Sequence, residues 1–195
     1  MSPEIAVVIL AGGEGSRLGG GKPLRILGGE RLIDRAVRQA RMWSATLAVA
    51  VRDAAQVRGC KVEMIQDRED VEGPLGGLAS AVQFAIAREC ELLLTIPADM
   101  PFLPDDLLNR LAAPIADQSC ALSSSGGHVH PVCGLWKVSA ADQLEVYVAT
   151  GRRSLRGLAE AVGCAVVEWP SEPLDPFFNI NTPEHLAKAE RRLAG

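Results

Sequence analysis

Apolar runs of strand length recur along the chain, at Ile5–Leu10, Thr46–Val51, Lys61–Ile65, Glu91–Ile96 and Ala165–Trp169. Between them the apolar positions change period. From Leu32 they fall at 32, 33, 36, 37 and 40, and from Leu75 at 75, 78, 79, 82, 85 and 86. Each set covers one face of a helix. Pro104 with Asp105 and Asp106 predicts a further helix start, proline near the first position and the acids near the positive end of the dipole. Thr182-Pro183-Glu184 predicts the last, with Thr182 as N-cap. Strands that are apolar throughout, alternating with amphipathic helices, predict an α/β fold whose mostly parallel sheet is covered on both faces. Ala121–Trp136 is less regular and reads as a β segment, with an antiparallel excursion as one option. No repeat, low-complexity tract or long linker interrupts the pattern, so a single domain over 1–195 is expected.

Composition narrows the class. The chain has 195 residues, 48% of them hydrophobic, enough for a core that needs neither disulfides nor metals. Its net charge is −4, from 20 basic and 24 acidic residues, without a basic block. That argues against nucleic acid as a partner and still allows a local cationic site for a phosphorylated small molecule. The five cysteines, at 60, 90, 120, 133 and 164, are scattered and form no CxxC pair, as expected for reduced thiols in a cytoplasmic protein. The first residues, MSPEIAVVIL, lack a basic region ahead of their apolar run, and no apolar stretch has the length of a membrane span. A soluble, cytoplasmic protein without membrane contact is the expectation.

The candidate chemistry begins directly after the first apolar run, in Leu10-Ala-Gly-Gly-Glu-Gly-Ser-Arg-Leu-Gly-Gly-Gly-Lys-Pro23. In open α/β sheets ligands bind beyond the carboxyl ends of strands. Glycines let backbone N–H groups approach a phosphate, and Arg17 and Lys22 add positive charge. A plain surface loop would not account for both charges so soon after a buried strand. The loop is not a P-loop: Ser16 stands where GxxxxGK[ST] needs glycine, and Pro23 follows the lysine. Nor is it GxGxxG, because the pattern begun at Gly13 and Gly15 ends on Leu18. LAGG-x-x-x-R-L-G-x-x-K after the first strand resembles instead the nucleotidyltransferases of Rossmann-like fold, which transfer a nucleoside monophosphate from an NTP and release pyrophosphate. That resemblance implies that the backbone of Leu10, Ala11, Gly12 and Gly13 lines the base and ribose, and that Arg17 and Lys22 neutralise the triphosphate.

Bound triphosphate calls for a divalent cation, and Mg²⁺ favours carboxylate together with phosphate oxygens. Asp99, just past the strand ending near Ile96 and flanked by Pro97 and Pro101, is the candidate metal ligand; the competing reading is an Asx-turn. Asp67 also follows a strand, and Gly73-Pro74-Leu75-Gly76-Gly77 then opens a helix whose N–H groups suit an anion or a base edge. The acids at 67, 69, 70 and 72 would repel phosphate, so a base or ribose contact, or a solvated loop, fits better there. His128 and His130 lack further ligands at zinc spacing and suit packing or a pocket rim. Asn179 and Asn181 fall on one side of an extended segment, where two amides can bind a polar ligand or stitch a loop to the sheet.

In order along the chain, LAGG…RLGGGK, D…GPLGGL, DMP, HPVCGLW and FNINTPEHL closely resemble the molybdenum cofactor guanylyltransferases. These motifs run from residue 10 to 186. The resemblance implies a Rossmann-like three-layer nucleotidyltransferase fold and the reaction of GTP with molybdopterin, molybdenum-loaded or metal-free. The terminal phosphate of the pterin attacks the α-phosphorus, and a guanine dinucleotide cofactor and pyrophosphate result. It further implies Arg17, Lys22 and Asp99 as catalytic residues, Asp99 as the Mg²⁺ ligand, and Leu10, Ala11, Gly12, Gly13, Lys22, Asp67, Gly73 and Asp99 as nucleotide contacts. His130, Asn179 and Asn181 are implied on the pterin side, and cofactor-delivery and molybdoenzyme-maturation proteins as partners. Two departures stand out: Gly21 precedes the lysine where many relatives have an acid, and Ala48-Val-Ala-Val-Arg52 lacks an asparagine that some use for the nucleotide. The motifs leave open CTP as donor, a sugar phosphate as acceptor, and a GTP-binding module without turnover.

Overall fold

In the computed structural model, residues 4–12 and 21–194 are described. The first strand, β1 (Ile5–Leu10), lies at the centre of a sheet. After Gly21 a 3-10 turn at Lys22–Leu24 leads to a two-strand ribbon, β2 (Ile26–Leu27) and β3 (Glu30–Arg31), and then to α1 (Leu32–Ala40). Next come β4 (Leu47–Val51), β5 (Glu63–Gln66), α2 (Pro74–Ala87) and β6 (Leu92–Pro97). The second half contains α3 (Leu107–Ala112), β7 (Cys120–Ser125), β8 (His128–Lys137), α4 (Ala141–Ala149), α5 (Leu155–Val162), β9 (Cys164–Trp169) and α6 (Pro183–Ala194).

The seven-stranded sheet has the order β5-β4-β1-β6-β8-β7-β9, and only β8 runs against the rest. Alternation along β1 shows how two cores form. Val7 and Ile9 join Ile33 and Val37 of α1 and Leu107 and Leu111 of α3 on one face. Ala6 and Val8 join Leu75, Leu78 and Val82 of α2 and Leu144 and Leu155 of α4 and α5 on the other. The fold is therefore a three-layer α/β sandwich with a mostly parallel sheet, as the pattern predicts. A third, smaller cluster of Leu27, Leu32, Ile180 and Ala189 fastens α6 over the ribbon beyond Lys22.

Several boundaries differ from expectation. The third strand starts at Glu63 rather than Lys61. The helix expected from Pro104 begins at Leu107, because Pro104 is used in a turn, its carbonyl accepting from Leu107 N–H at 3.1 Å. The two acids serve elsewhere: Asp105 Oδ1 accepts from Gln39 at 3.1 Å, and Asp106 Oδ1 from the Trp169 indole at 3.0 Å. Thr182 does cap α6, its Oγ1 accepting from His185 N–H at 3.2 Å. The irregular 121–136 stretch resolves into the antiparallel β7–β8 hairpin, turning at Gly126-Gly127 with positive φ at both. All five cysteines are free thiols; Cys90, Cys120 and Cys133 are buried, while Cys60 and Cys164 are only partly covered. Among the described residues no helix is long and apolar enough to cross a membrane.

Candidate active site

The carboxyl ends of β5, β4, β1 and β6 share one edge of the sheet, since these four strands are parallel. From β1 the chain crosses outward to β4 and β5 on one side, then returns to β6 on the other. Such a reversal opens a crevice beside β1. Three backbone bonds carry the ladder one residue beyond the strands: Ala11 N–H to Ala50 O at 2.9 Å, Asp67 N–H to Val51 O at 2.8 Å and Ala98 N–H to Leu10 O at 3.3 Å. Gly12, Asp67 and Asp99 are thereby set around one opening. A cavity of about 230 Å³ lies there, its wall including Leu10, Gly12, Arg52, Asp67, Gly73 and Asp99.

Lys22 is brought to the same edge from the far side of the glycine-rich loop. Its Nζ pairs with Asp99 Oδ2, donates to Asn181 Oδ1 at 2.6 Å and reaches Asn179 Oδ1 at 3.3 Å. The two asparagines share a side of their extended segment, as alternation predicts, and in this structure both amide oxygens face the ammonium. The pair is mostly covered, with side-chain exposures of 13% for Lys22 and 18% for Asp99. The other carboxylate oxygen, Asp99 Oδ1, is buried without a hydrogen-bond partner among the described residues. An acceptor of that kind beside an open cavity fits a hard cation that takes one carboxylate and completes its shell with phosphate oxygens and water. Among the described residues no cluster of three or more His, Cys, Asp or Glu forms an all-protein cage.

Asp67 is the second acid in the wall. Its Oδ1 is likewise buried and unpartnered among the described residues. Burial raises its pKa above the ordinary carboxylate value, and the nearby Arg52 charge opposes that shift. Glycine flanks this carboxylate on both sides, closely at Gly12 and more loosely at Gly77. A Cβ at Gly12 would stand 2.1 Å from Asp67 Oδ2, and one at Gly77 would stand 3.3 Å from Oδ1. Gly73, with φ of 71°, caps α2, and Pro74 occupies its first turn, so the amino end of the helix faces the cavity.

The sequence-predicted residues thus separate into groups. Leu10, Gly12, Asp67, Gly73, Asp99 and Asn179 border the cavity, Ala11 lies in the chain between two of them, Lys22 adjoins it through Asp99, and Asn181 is joined to Lys22. Gly13 and Arg17 lie outside the described residues. His130 is not in the cavity wall. Its Nε2 lies 2.9 Å from Ser125 Oγ, and its ring stacks on Phe177 at 4.9 Å. Burial lowers its pKa, against the opposite pull of Asp175. Arg52, whose role the sequence leaves open, borders the cavity. Gly77, Met100 and Val132 do so as well; they lie inside the motifs GPLGGL, DMP and HPVCGLW without being singled out by the sequence. Gly77 could have been found from its i, i+4 relation to Gly73 at a helix start.

Comparison with known proteins agrees with this geometry. Residues 7–177 match the family described as MobA-like NTP transferase domain. The molybdenum cofactor guanylyltransferase of Cereibacter sphaeroides is 38% identical over 188 residues, covering 95% of each chain. That of Rhodopseudomonas palustris is 39% identical over 197 residues, covering 97% of this chain and 94% of the other. Among solved structures, molybdopterin-guanine dinucleotide biosynthesis protein A from Archaeoglobus fulgidus superposes with a TM-score of 0.77 at 26% identity, over 97% of this chain and 98% of its own.

Proposed function

From the premise that the chain belongs to the MobA-like NTP transferase family and is a nucleotidyltransferase, we propose that it transfers GMP from GTP to the terminal phosphate of molybdopterin. A phosphate oxygen of the pterin forms a bond to the α-phosphorus of GTP. The bond from that phosphorus to the bridging oxygen breaks, and pyrophosphate departs with the electron pair. The nucleophile is already an anion, so no general base is required, and the chain's contribution is orientation and charge compensation.

The observation that carries the reading is the Lys22–Asp99 pair, held by Asn179 and Asn181 beside the cavity at the β1 and β6 ends. Lys22 is a compact cation positioned to meet the negative charge that grows on the departing pyrophosphate. The free Asp99 Oδ1 is the atom that would hold Mg²⁺, which when bound supplies further neutralisation of the phosphates. The base and ribose occupy the cavity between Gly12, Asp67 and Gly73. There the unpartnered Asp67 Oδ1 accepts from a donor on one of them. The pterin approaches from the side of Asn179 and Asn181. Calorimetric titration with GTP and with CTP, each with Mg²⁺, tests the donor. Clear preference for GTP is expected. Preference for CTP would retain the roles of Lys22 and Asp99 and refute the guanylyl assignment.

A further inference from the structure

We infer that Asp175 is a positioning residue: together with Ser125 it clips the segment 175–181 to the end of β7 and so sets Lys22 against Asp99. This rests on the reading above that Lys22 meets the triphosphate.

The segment runs between two anchored places without being helix or strand. At its start, Asp175 Oδ1 accepts from Ser125 Oγ at 2.8 Å and from the N–H of Phe177 at 2.9 Å. Ser125 is the last residue of β7 and is 3% exposed. Its single hydroxyl proton is given to Asp175, so the 2.9 Å contact with His130 requires Nε2–H of the ring to donate to Oγ. The three groups therefore form one ordered chain, His130 to Ser125 to Asp175. The same His130 ring stacks on Phe177, and Trp169 meets Phe177 edge-on at 5.3 Å. Phe177, 1% exposed, is thus fixed by its own backbone donor and by two rings.

Directly beyond Phe177 the chain reaches the lysine site. Asn179 and Asn181 present their oxygens to Lys22 Nζ, while the intervening Ile180 N–H donates to the carbonyl of Asp99 at 3.0 Å. The segment hence touches both members of the ion pair. Removing the Asp175 carboxylate would leave the Phe177 N–H without its acceptor and free the Ser125 hydroxyl to turn to His130 Nε2, so the clip is lost and the segment shifts toward water. A shift at Phe177 acts on the two asparagines, two and four residues further along, against the hold of Ile180, which is buried and bonded to the Asp99 carbonyl. His130 is thereby a structural partner of this clip.

The test compares affinities for GTP and for GMP, each with Mg²⁺, because GMP lacks the phosphates that Lys22 would meet. In Asp175→Ala, GTP affinity should fall about tenfold, the order for one misplaced charge-assisted hydrogen bond, with GMP affinity unchanged within about twofold. Asp175→Asn keeps an Oδ1 acceptor in place and should restore GTP affinity to within about threefold of the unaltered protein. If Asp175→Ala does not fold, Ser125→Ala removes one of the two bonds and is read in the same way. Equal losses for GTP and GMP, or no loss in a folded variant, would overturn the inference. Lys22→Ala is the control. If it too leaves the preference for GTP over GMP intact, the lysine assignment itself fails, and the inference with it.

Discussion

A methyl group at Gly12 would test the proposed nucleotide cavity at the wall beside Asp67. An alanine Cβ there would stand 2.1 Å from Asp67 Oδ2, 3.2 Å from Asp67 Cγ and 3.4 Å from Arg52 Cγ. The first distance is far inside the roughly 3.5 Å at which non-bonded atoms attract. The Asp67 backbone is tied to Val51 at 2.8 Å, so only its side chain, which borders the cavity, can yield. Relief must come from an off-rotamer Asp67 or from displacement of the chain after β1, at about 1–3 kcal/mol for overpacking of this kind. At about 2–4 °C per kcal/mol for a chain of this size, Gly12→Ala should melt several degrees lower. Because the displaced carboxylate enters the proposed base site, GTP affinity should also fall by at least about tenfold, which corresponds to about 1.4 kcal/mol. Thermal unfolding and GTP titration measure both. The steric origin is checked in an Asp67→Ala background, where the struck atoms are gone and the added methyl should cost less than half as much. Unchanged melting and affinity in Gly12→Ala, or an equal cost in both backgrounds, would refute the packing argument.

Three further outcomes are expected. Asp99→Ala should lose about 10²–10³ in turnover while retaining the fold, as for removal of one electrostatic contact to the reacting phosphates; near-normal turnover would remove Asp99 from the site. Lys22→Ala should weaken GTP binding far more than GMP binding, and equal losses in titration would move Lys22 away from the β- and γ-phosphates. For Asp67, whose folded pKa is raised by burial, the stability it contributes is full below its unfolded value and is lost as pH rises through the folded value. The neutral variant Asp67→Asn escapes that loss, so its melting temperature relative to the unaltered protein should climb from acid to neutral pH; a difference that stays flat with pH would contradict the desolvated carboxylate.

Much of this was legible because the decisive residues lie at ends of strongly patterned strands. Asp67 and Asp99 follow apolar runs directly, so their place on the binding edge could be read without knowing the strand order. The helices with a clear apolar face, α1 and α2, were legible for the same reason. By contrast, α4 carries apolar residues on several sides, with Val146 well exposed and Leu144 buried, and offers no clear period. The start of α3 was misread because Asp105 and Asp106 bond to Gln39 and Trp169, partners more than 60 positions away. The insertion of β8 against β6 depends on long-range register, which no local pattern encodes. In the site, the common side of Asn179 and Asn181 followed from alternation, but their contact with Lys22, more than 150 positions away, did not. Likewise nothing near His130 indicates that its partners would be Ser125 and Phe177.

The most direct measurement is mass spectrometry of the product formed by the purified protein from GTP, Mg²⁺ and molybdopterin, with released pyrophosphate counted in the same reaction. The account predicts molybdopterin extended by one GMP, one pyrophosphate per dinucleotide, and neither product with Asp99→Ala. Pyrophosphate without the dinucleotide, or transfer only from CTP, would contradict it.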